Sequence, residues 1–229
     1  MSAVGTVGAV RAVPPGRSAM TRRESQAMTR AALLRAAARA ISRHGLHGAS
    51  IDRIAEEAGY TKGAFYANFS SKEELLLVML DERFGANLKR LDATLAGIGE
   101  PAVEAREASE EFMLNVESDP EWPRIYQELA AHAARNEAFR LELAARQRAM
   151  RARVARIYAR WAAAVGVEEV LPSDDVAAMT SFMASGFVLE RIVEPDLDHA
   201  LYTSMLEVFL RGLMATRPSA VSHAAPSAR

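Results

Sequence analysis

Between residues 60 and 69 the sequence groups side chains suited to contacting a nucleic acid rather than to breaking bonds. A cation, hydrogen-bonding groups and small residues fall on one face of a short predicted helix: Lys62, Gly63, Tyr66, Ala67 and Asn68. On the other face, Phe65 and Phe69 lie one turn apart and are expected to point inward. This division suits a recognition helix that enters the major groove of DNA, where small residues permit close approach.

The preceding residues predict the helix that would support this segment. Ser50 can accept a backbone N–H as an N-cap, and four apolar residues then follow at helical spacing: Ile51, Ile54, Ala55 and Ala58. Gly59 can adopt the left-handed conformation that ends a helix, and Thr61 can cap the next one. Two short helices joined by a tight turn predict a helix-turn-helix unit.

The rest of the chain also predicts helices. Thr21 and Glu24 can form a capping box for a first helix that ends at Gly45. A second capping box, formed by Ser71 and Glu74, would open a helix that runs toward residue 97. Further helices are predicted near residues 101–117, 120–133, 136–165, 174–193 and 198–215, and no strand-like alternation competes with them.

An ordered string of residues in this region resembles the tetracycline-repressor (TetR) family of bacterial regulators. The matching residues are Ser50, Ile54, Ala55, Ala58, Gly59, the segment TKGAFYANF at 61–69, and SKEEL at 71–75. The close match covers about residues 29 to 80. The resemblance implies an all-α protein with an N-terminal three-helix helix-turn-helix DNA-binding domain and a larger C-terminal helical domain for ligand binding and dimerisation.

Charge is divided along the chain in the same way. Residues 1–72 carry a net charge of +7, whereas residues 73–229 carry −8. A basic segment gains affinity for DNA through counterion release, so the DNA is expected at the N-terminal end. The predicted organisation is a disordered basic arm at 1–20, the DNA-binding domain at 21–72, the helical domain at 73–216 and a disordered tail at 217–229.

The resemblance and the helix geometry together assign DNA contacts to eight residues. Phosphate contacts are expected from Ser50, Lys62, Tyr66 and Lys72. Base contacts are expected from Tyr60, Thr61, Gly63 and Asn68, since Asn can bond adenine and small residues can meet a thymine methyl. An alternative stays open, in which Tyr60 and Tyr66 pack on a neighbouring helix and Lys72 is only an exposed lysine of a first turn.

The resemblance also implies a homodimer and an effector pocket. The interface is expected on the last two helices, at Phe182, Gly186, Leu189, Val193, Leu201, Met205 and Phe209. The pocket is expected among Phe112, Met113, Trp122, Tyr126, Phe139, Tyr158 and Trp161, whose broad apolar faces suit an apolar ligand. Apolar stripes on helices and clustered aromatic residues also occur in ordinary monomer cores. The alternative that both sets of residues simply form such a core stays open.

An enzyme is not expected, because the chain lacks cysteine and the common catalytic motifs, and its five histidines are scattered. No cofactor or metal is expected. No membrane partner is expected either, since no uninterrupted apolar run approaches the about 20 residues of a membrane span. The expected function is a cytoplasmic, dimeric transcriptional regulator, most simply a repressor, that binds a palindromic operator and is released by a small apolar effector. The alternative is a structural or partner-recruiting DNA-binding protein without an effector.

Overall fold

The computed structural model describes residues 21–96, 101–166 and 170–215, and within these ranges the chain forms helices and no strand. The helices are α1 (Arg22–Gly48), α2 (Ile51–Glu57), α3 (Lys62–Tyr66), α4 (Lys72–Thr94), α5 (Pro101–Glu117), α6 (Trp122–Ala133), α7 (Glu137–Val165), α8 (Ser173–Val193) and α9 (His199–Ala215). The predicted bounds of α5 to α9 agree with these within two residues. The arm at 1–20, the tail at 217–229 and the predicted helix end at residue 97 lie outside the described residues.

Helix α1 begins at the predicted capping box. The Thr21 hydroxyl accepts the N–H of Glu24 at 3.2 Å, and the Thr21 N–H donates to the Glu24 carboxylate at 2.7 Å. These hydrogen bonds hold the pKa of Glu24 below its ordinary value. Regular helix geometry breaks at the predicted residue, Gly45, where φ is 68°, and helical backbone then resumes to Gly48. A glycine is required at this break because an L side chain rarely adopts that φ.

Helices α2 and α3 form the predicted helix-turn-helix. The Ser50 hydroxyl accepts the N–H of Arg53 at 3.2 Å, and the Thr61 hydroxyl accepts that of Ala64, also at 3.2 Å. Between the two helices Gly59 has a φ of 78°, which allows the sharp turn. The rings of Phe65 and Phe69 are buried with centroids 5.7 Å apart, so they anchor α3 on the core, as the sequence predicted.

The second predicted capping box, at the start of α4, is only half formed. Ser71 does cap the helix by accepting the N–H of Glu74 at 3.0 Å. The Glu74 carboxylate, however, accepts from the N–H and the hydroxyl of Ser70, both at 2.6 Å, rather than from Ser71. Ser70 offers the carboxylate two donors where the capping box offers one. Hydrogen bonding to the Ser70 hydroxyl and N–H lowers the pKa of Glu74.

Helix α4 belongs to both main parts of the apolar core. One buried cluster joins α1, α2, α3 and the first turns of α4 to α6 and the start of α7, and it includes Leu33, Ile54, Phe65, Leu76, Ile125, Leu129 and Phe139. A second cluster joins the last turns of α4 to α7 and α8 through Leu88, Val154, Ile157, Trp161 and Ala177. The core therefore continues across the predicted domain boundary at residue 72, and α4 spans both parts.

Helix α8 has an unusually apolar composition. It is long and apolar enough, by length and composition alone, to cross a membrane, although only 22% of its most apolar 18-residue window is buried. Glu190 and Arg191 interrupt the apolar run of α8, so the sequence contains no uninterrupted apolar stretch at this place. Helix α8 packs against α6, α7 and α9, as a core helix of a bundle does, and its remaining apolar face is exposed.

Candidate nucleic-acid interface and ligand cavity

Helix α3 exposes most of the residues that the sequence predicted to contact DNA. Thr61, Lys62, Gly63 and Tyr66 are all exposed. The Tyr66 side chain is 51% exposed, and its ring packs edge-on against Phe65 at 5.6 Å, so the ring is held in place while half of the side chain remains accessible. The alternative in which Tyr66 is simply buried against a neighbouring helix does not fit this exposure.

Gly63 has no structural reason to be glycine. Its φ is not positive, and a Cβ built at this position would meet only the Thr61 hydroxyl at 3.6 Å, which is ordinary contact. Glycine within a helix costs about 0.5–1 kcal/mol relative to alanine. The bare backbone at this exposed position leaves room for a large partner to approach α3 closely.

The charged residues beside α3 are partly paired. Lys62 forms an ion pair with Asp52 at 3.1 Å, and hydrogen bonding to that carboxylate raises the pKa of Lys62. Arg53 on α2 is exposed, and its side chain has no hydrogen bond or ion pair with the described residues. Arg53 is the third residue of α2 and therefore lies in its first turn, a position that the predicted DNA contacts did not include. It is a further candidate for a phosphate contact.

The side chains of Asn68 and Lys72 both donate hydrogen bonds to main-chain carbonyls of this chain. The Asn68 amide nitrogen donates to the Ala64 carbonyl at 2.9 Å, and its Oδ1 is buried without a partner, so the base contact predicted for Asn68 is not supported. The Lys72 ammonium donates to the Leu46 carbonyl at 2.9 Å and is half-buried. An ammonium has three N–H groups, so Lys72 keeps donors for a phosphate. Ser50 and Tyr60 are exposed.

A cavity lies between α4, α5, α7, α8 and α9. Its volume is about 140 Å³, and it is lined by Asn87, Arg90, Leu91, Thr94, Ala108, Glu111, Phe112, Asn115, Met150, Val154, Tyr158, Thr180, Ser181, Ala184, Tyr202 and Leu206. The walls are mainly apolar and aromatic, and the charged and amide side chains of the lining come from α4 and α5. This composition is typical of a site for a small molecule.

Only Phe112 and Tyr158 of the seven predicted pocket residues line this cavity. Met113, Trp122, Tyr126, Phe139 and Trp161 lie outside the lining of this cavity. Trp122, Tyr126 and Phe139 pack on the core cluster shared with α1, and Trp161 packs on the cluster between α4, α7 and α8. Met113 is buried beside Phe187 and Tyr202. Aromatic type alone did not reveal which helix faces meet, so Tyr202 was missed.

The polar end of the cavity is a connected network. Arg90 donates to the Asn115 side-chain oxygen, and the Asn115 amide nitrogen donates to the Asn87 side-chain oxygen at 2.9 Å. Arg90 also lies 3.6 Å from the Glu111 carboxylate. At the other end, burial raises the pKa values of Tyr158 and Tyr202, so both phenols stay protonated at neutral pH.

The cavity network is connected to the helix-turn-helix through α4 and α6. Arg83 of α4 donates to the Asn115 carbonyl at 3.2 Å and to the Asp119 carboxylate at 3.1 Å, just before α6. Burial lowers the pKa of Arg83. Further along α6, Glu128 accepts the N–H of Leu46 at 2.8 Å, at the break in α1. The Lys72 ammonium donates to the Leu46 carbonyl. Side chains of α4 and α6 therefore both bind the backbone of Leu46, shortly before α2.

Helices α8 and α9 expose an apolar face. Six of the seven predicted interface residues are exposed: Phe182, Gly186, Leu189, Val193, Leu201 and Met205. Val193 is 81% exposed and Phe182 is 64% exposed, which is high for large apolar side chains. Phe209 instead is half-buried against Leu206 and Leu210.

The N-terminal part of the chain is similar to known regulatory proteins. Residues 33–79 match the profile described as bacterial regulatory proteins, tetR family. The HTH-type transcriptional regulator TtgR of Pseudomonas putida is 43% identical over 61 residues, which are 27% of this chain and 29% of TtgR. The matches to curated relatives span at most 45% of those relatives' lengths.

Solved structures share the fold over most of the chain. The fatty acid degradation regulator FadR of Bacillus halodurans has a TM-score of 0.68 at 16% identity, covering 83% of this chain and 97% of that one. The transcriptional regulator FadR of Bacillus subtilis, solved in complex with stearoyl-CoA, has a TM-score of 0.65 at 18% identity, covering 81% of this chain and 97% of that one. At these identities the likeness establishes the all-helical fold.

Proposed function

We propose, from the premise that this chain is a member of the tetR family of bacterial regulatory proteins, that it is a cytoplasmic transcriptional regulator. It binds a palindromic operator as a homodimer, acts as a repressor, and is released from DNA by a small molecule. The single observation that carries the proposal is the exposed, cap-stabilised α3, whose Gly63 backbone is left bare where the fold does not require glycine.

The proposed DNA contacts follow the exposure of each side chain. Lys62, Tyr66, Lys72 and Ser50 contact phosphates, and Arg53 joins them. Tyr60, Thr61 and Gly63 approach the bases. The Thr61 oxygen already accepts the Ala64 N–H, and its hydroxyl proton and second lone pair remain for a base edge.

The proposed dimer pairs the exposed faces of α8 and α9 with their symmetry mates. One short recognition helix reads too few base pairs for a specific operator, whereas a two-fold dimer reads two half-sites. The exposure of Phe182, Leu189 and Val193 supports this face, because a monomer rarely leaves a contiguous apolar surface in water. The same pairing would cover the apolar side of α8.

The proposed effector site is the cavity beside α4. Residues 72 and 90 are both on α4 and are separated by about 27 Å at the usual helical rise. A ligand that pushes on Arg90 therefore tilts a helix whose other end holds Leu46. Because a ligand shifts an equilibrium only by its differential affinity, the effector must fit the conformation whose two recognition helices are displaced from the about 34–36 Å spacing of successive major grooves.

The FadR structure with stearoyl-CoA supports a small-molecule effector in this fold, since that neighbour holds its ligand in a protein of the same architecture. The alternative function is a DNA-binding protein without an effector. The cavity at 140 Å³ and its polar network favour the regulator over that alternative.

The test is selection of genomic DNA fragments by the purified full-length protein, followed by affinity measurements at two salt concentrations. A shared palindrome with binding that survives moderate salt is the expected result. Binding that shows no common sequence and disappears with salt would contradict a site-specific regulator. Arg53→Gln should weaken binding to every fragment, and Arg106→Gln, an exposed arginine of α5, is the matched control.

A further inference from the structure

The polar end of the cavity offers hydrogen-bond donors with a fixed orientation. Arginine can only donate, so the Asn115 atom that faces Arg90 must be its oxygen, and the Asn115 amide nitrogen must face Asn87. Asn87 therefore turns its own oxygen toward Asn115, and its amide nitrogen is left for another acceptor. Asn115 is only 5% exposed, so water cannot easily take the place of its hydrogen bonds with Arg90 and Asn87.

Arg90 keeps free donors as well. Of its five N–H groups, one is taken by Asn115 and the Nε–H faces Glu111 at 3.6 Å. The other three have no partner among the described residues. The guanidinium fork and the Asn87 amide thus line one end of the cavity with donors that suit a planar acceptor with two oxygens, the geometry of a carboxylate.

Glu111 does not cancel this preference. The Arg90 and Glu111 side chains are 44% and 42% exposed, and ion pairs at that exposure contribute little. A ligand carboxylate can take the place of Glu111 beside Arg90, while the Glu111 carboxylate turns to solvent. Two carboxylates near one guanidinium repel each other, so Glu111 would weaken binding of an anion without abolishing it.

The size and walls of the cavity define the rest of the ligand. A volume of about 140 Å³ is close to the roughly 150 Å³ of a cavity that holds benzene, and below the roughly 300–1,000 Å³ of pockets for larger ligands. Phe112 and Tyr202 form one wall, with ring centroids 5.1 Å apart, and Tyr158 also lines the cavity. Aromatic rings pair well with a further ring at such distances.

We infer that the cavity binds a compact aromatic monocarboxylate, with one ring against Phe112, Tyr158 and Tyr202 and the carboxylate on Arg90 and Asn87. This inference rests on the proposed function, and it replaces the purely apolar effector expected from the sequence with an anionic one. A long acyl chain cannot be enclosed in a cavity of about 140 Å³, so the proposed ligand is more compact than the stearoyl-CoA bound by the FadR neighbour.

The experiment is calorimetric titration of the full-length protein with three probes: benzoate, benzamide and octanoate. Benzamide has the shape of benzoate without its charge, and octanoate has the charge without the ring. Benzoate should bind at least about tenfold more tightly than either, because only benzoate uses both ends of the cavity. Fluorescence anisotropy should show that benzoate releases the selected operator DNA from the protein and that benzamide at the same concentration does not.

Variants assign the carboxylate to Arg90. Arg90→Gln should weaken benzoate binding by about tenfold or more and benzamide binding by much less, because the benzamide carbonyl accepts a neutral hydrogen bond only, while Glu111→Gln should strengthen benzoate binding. Arg90→Lys keeps the charge without the fork and should fall between wild type and Arg90→Gln. Arg106→Gln, which removes an arginine paired with Glu110 outside the cavity lining, is the matched control and should change nothing. Circular dichroism verifies that each variant is folded.

Three outcomes would overturn the inference: no benzoate binding at millimolar concentration, equal binding of benzoate and benzamide, or equal binding by wild type and a folded Arg90→Gln. Each of these leaves the regulator intact if the protein still selects a palindromic operator. Failure to select any common DNA sequence, by contrast, counts against the proposed function, whatever benzoate does.

Discussion

Replacing Gly63 by alanine separates the requirements of the fold from those of DNA binding. The added Cβ would meet only the Thr61 hydroxyl at 3.6 Å, and the backbone at Gly63 has no positive φ. The folded protein therefore has room for alanine. An operator that approaches α3 closely would not have that room, because the methyl group lies on the exposed side of the recognition helix.

The two effects have opposite signs. Alanine within a helix is favoured over glycine by about 0.5–1 kcal/mol, and the position near the start of a short helix places the gain at the lower end. For a chain of this size, about 0.5 kcal/mol raises Tm by roughly 1–2 °C. Loss of a close contact with DNA costs about 1–3 kcal/mol, which is roughly five- to 150-fold in Kd.

Thermal unfolding and fluorescence anisotropy with the selected operator measure the two effects, at one fixed protein concentration because a dimer's Tm depends on concentration. Gly85→Ala is the matched control. Gly85 is within α4, its Cβ would meet nothing within 4 Å, and it is distant in sequence from the recognition helix. This variant should also gain stability, and its operator affinity should equal that of the wild type.

The combination of results decides the matter. A more stable Gly63→Ala protein that binds operator as tightly as the wild type would refute the close approach of DNA to α3. A less stable Gly63→Ala protein would instead contradict the open space described around this residue. Weaker binding by Gly85→Ala would mean that the affinity loss arises from helix rigidity rather than from contact.

Three further predictions concern charge, assembly and pH. Asp52→Asn should release Lys62 to a phosphate and steepen the slope of log K against log salt by about one; an unchanged slope would remove Lys62 from the DNA contacts. Val193→Asp should convert the dimer to monomer in sedimentation velocity, because Val193 is 81% exposed on the proposed interface, and a persistent dimer would place the interface elsewhere. Hydrogen bonds from Ser70 lower the pKa of Glu74, so the carboxylate stabilises the fold above the unfolded pKa and loses that effect as pH falls; the stability advantage of wild type over Glu74→Gln in urea should shrink below pH 4.5, and an advantage independent of pH would contradict this.

Local signals allowed the sequence to predict most of the fold. Caps at Thr21, Ser50, Thr61 and Ser71 each act on a backbone N–H three residues ahead, and Gly45 and Gly59 interrupt helices at the predicted places. Such interactions depend on neighbours in the chain, so spacing reveals them. The helix-turn-helix, its buried phenylalanines and its exposed face follow from the same short-range pattern.

The tertiary structure alone decided which distant side chains meet. Glu128 reaches the N–H of Leu46 across 82 positions of sequence, and the donor network of the cavity joins α4 to α5. The aromatic residues Trp122 and Phe139 were expected in the pocket but fill the core, while Tyr202 lines the cavity. An apolar stripe shows that a helix buries one face, but the partner of that face depends on how the helices pack, which no local pattern encodes.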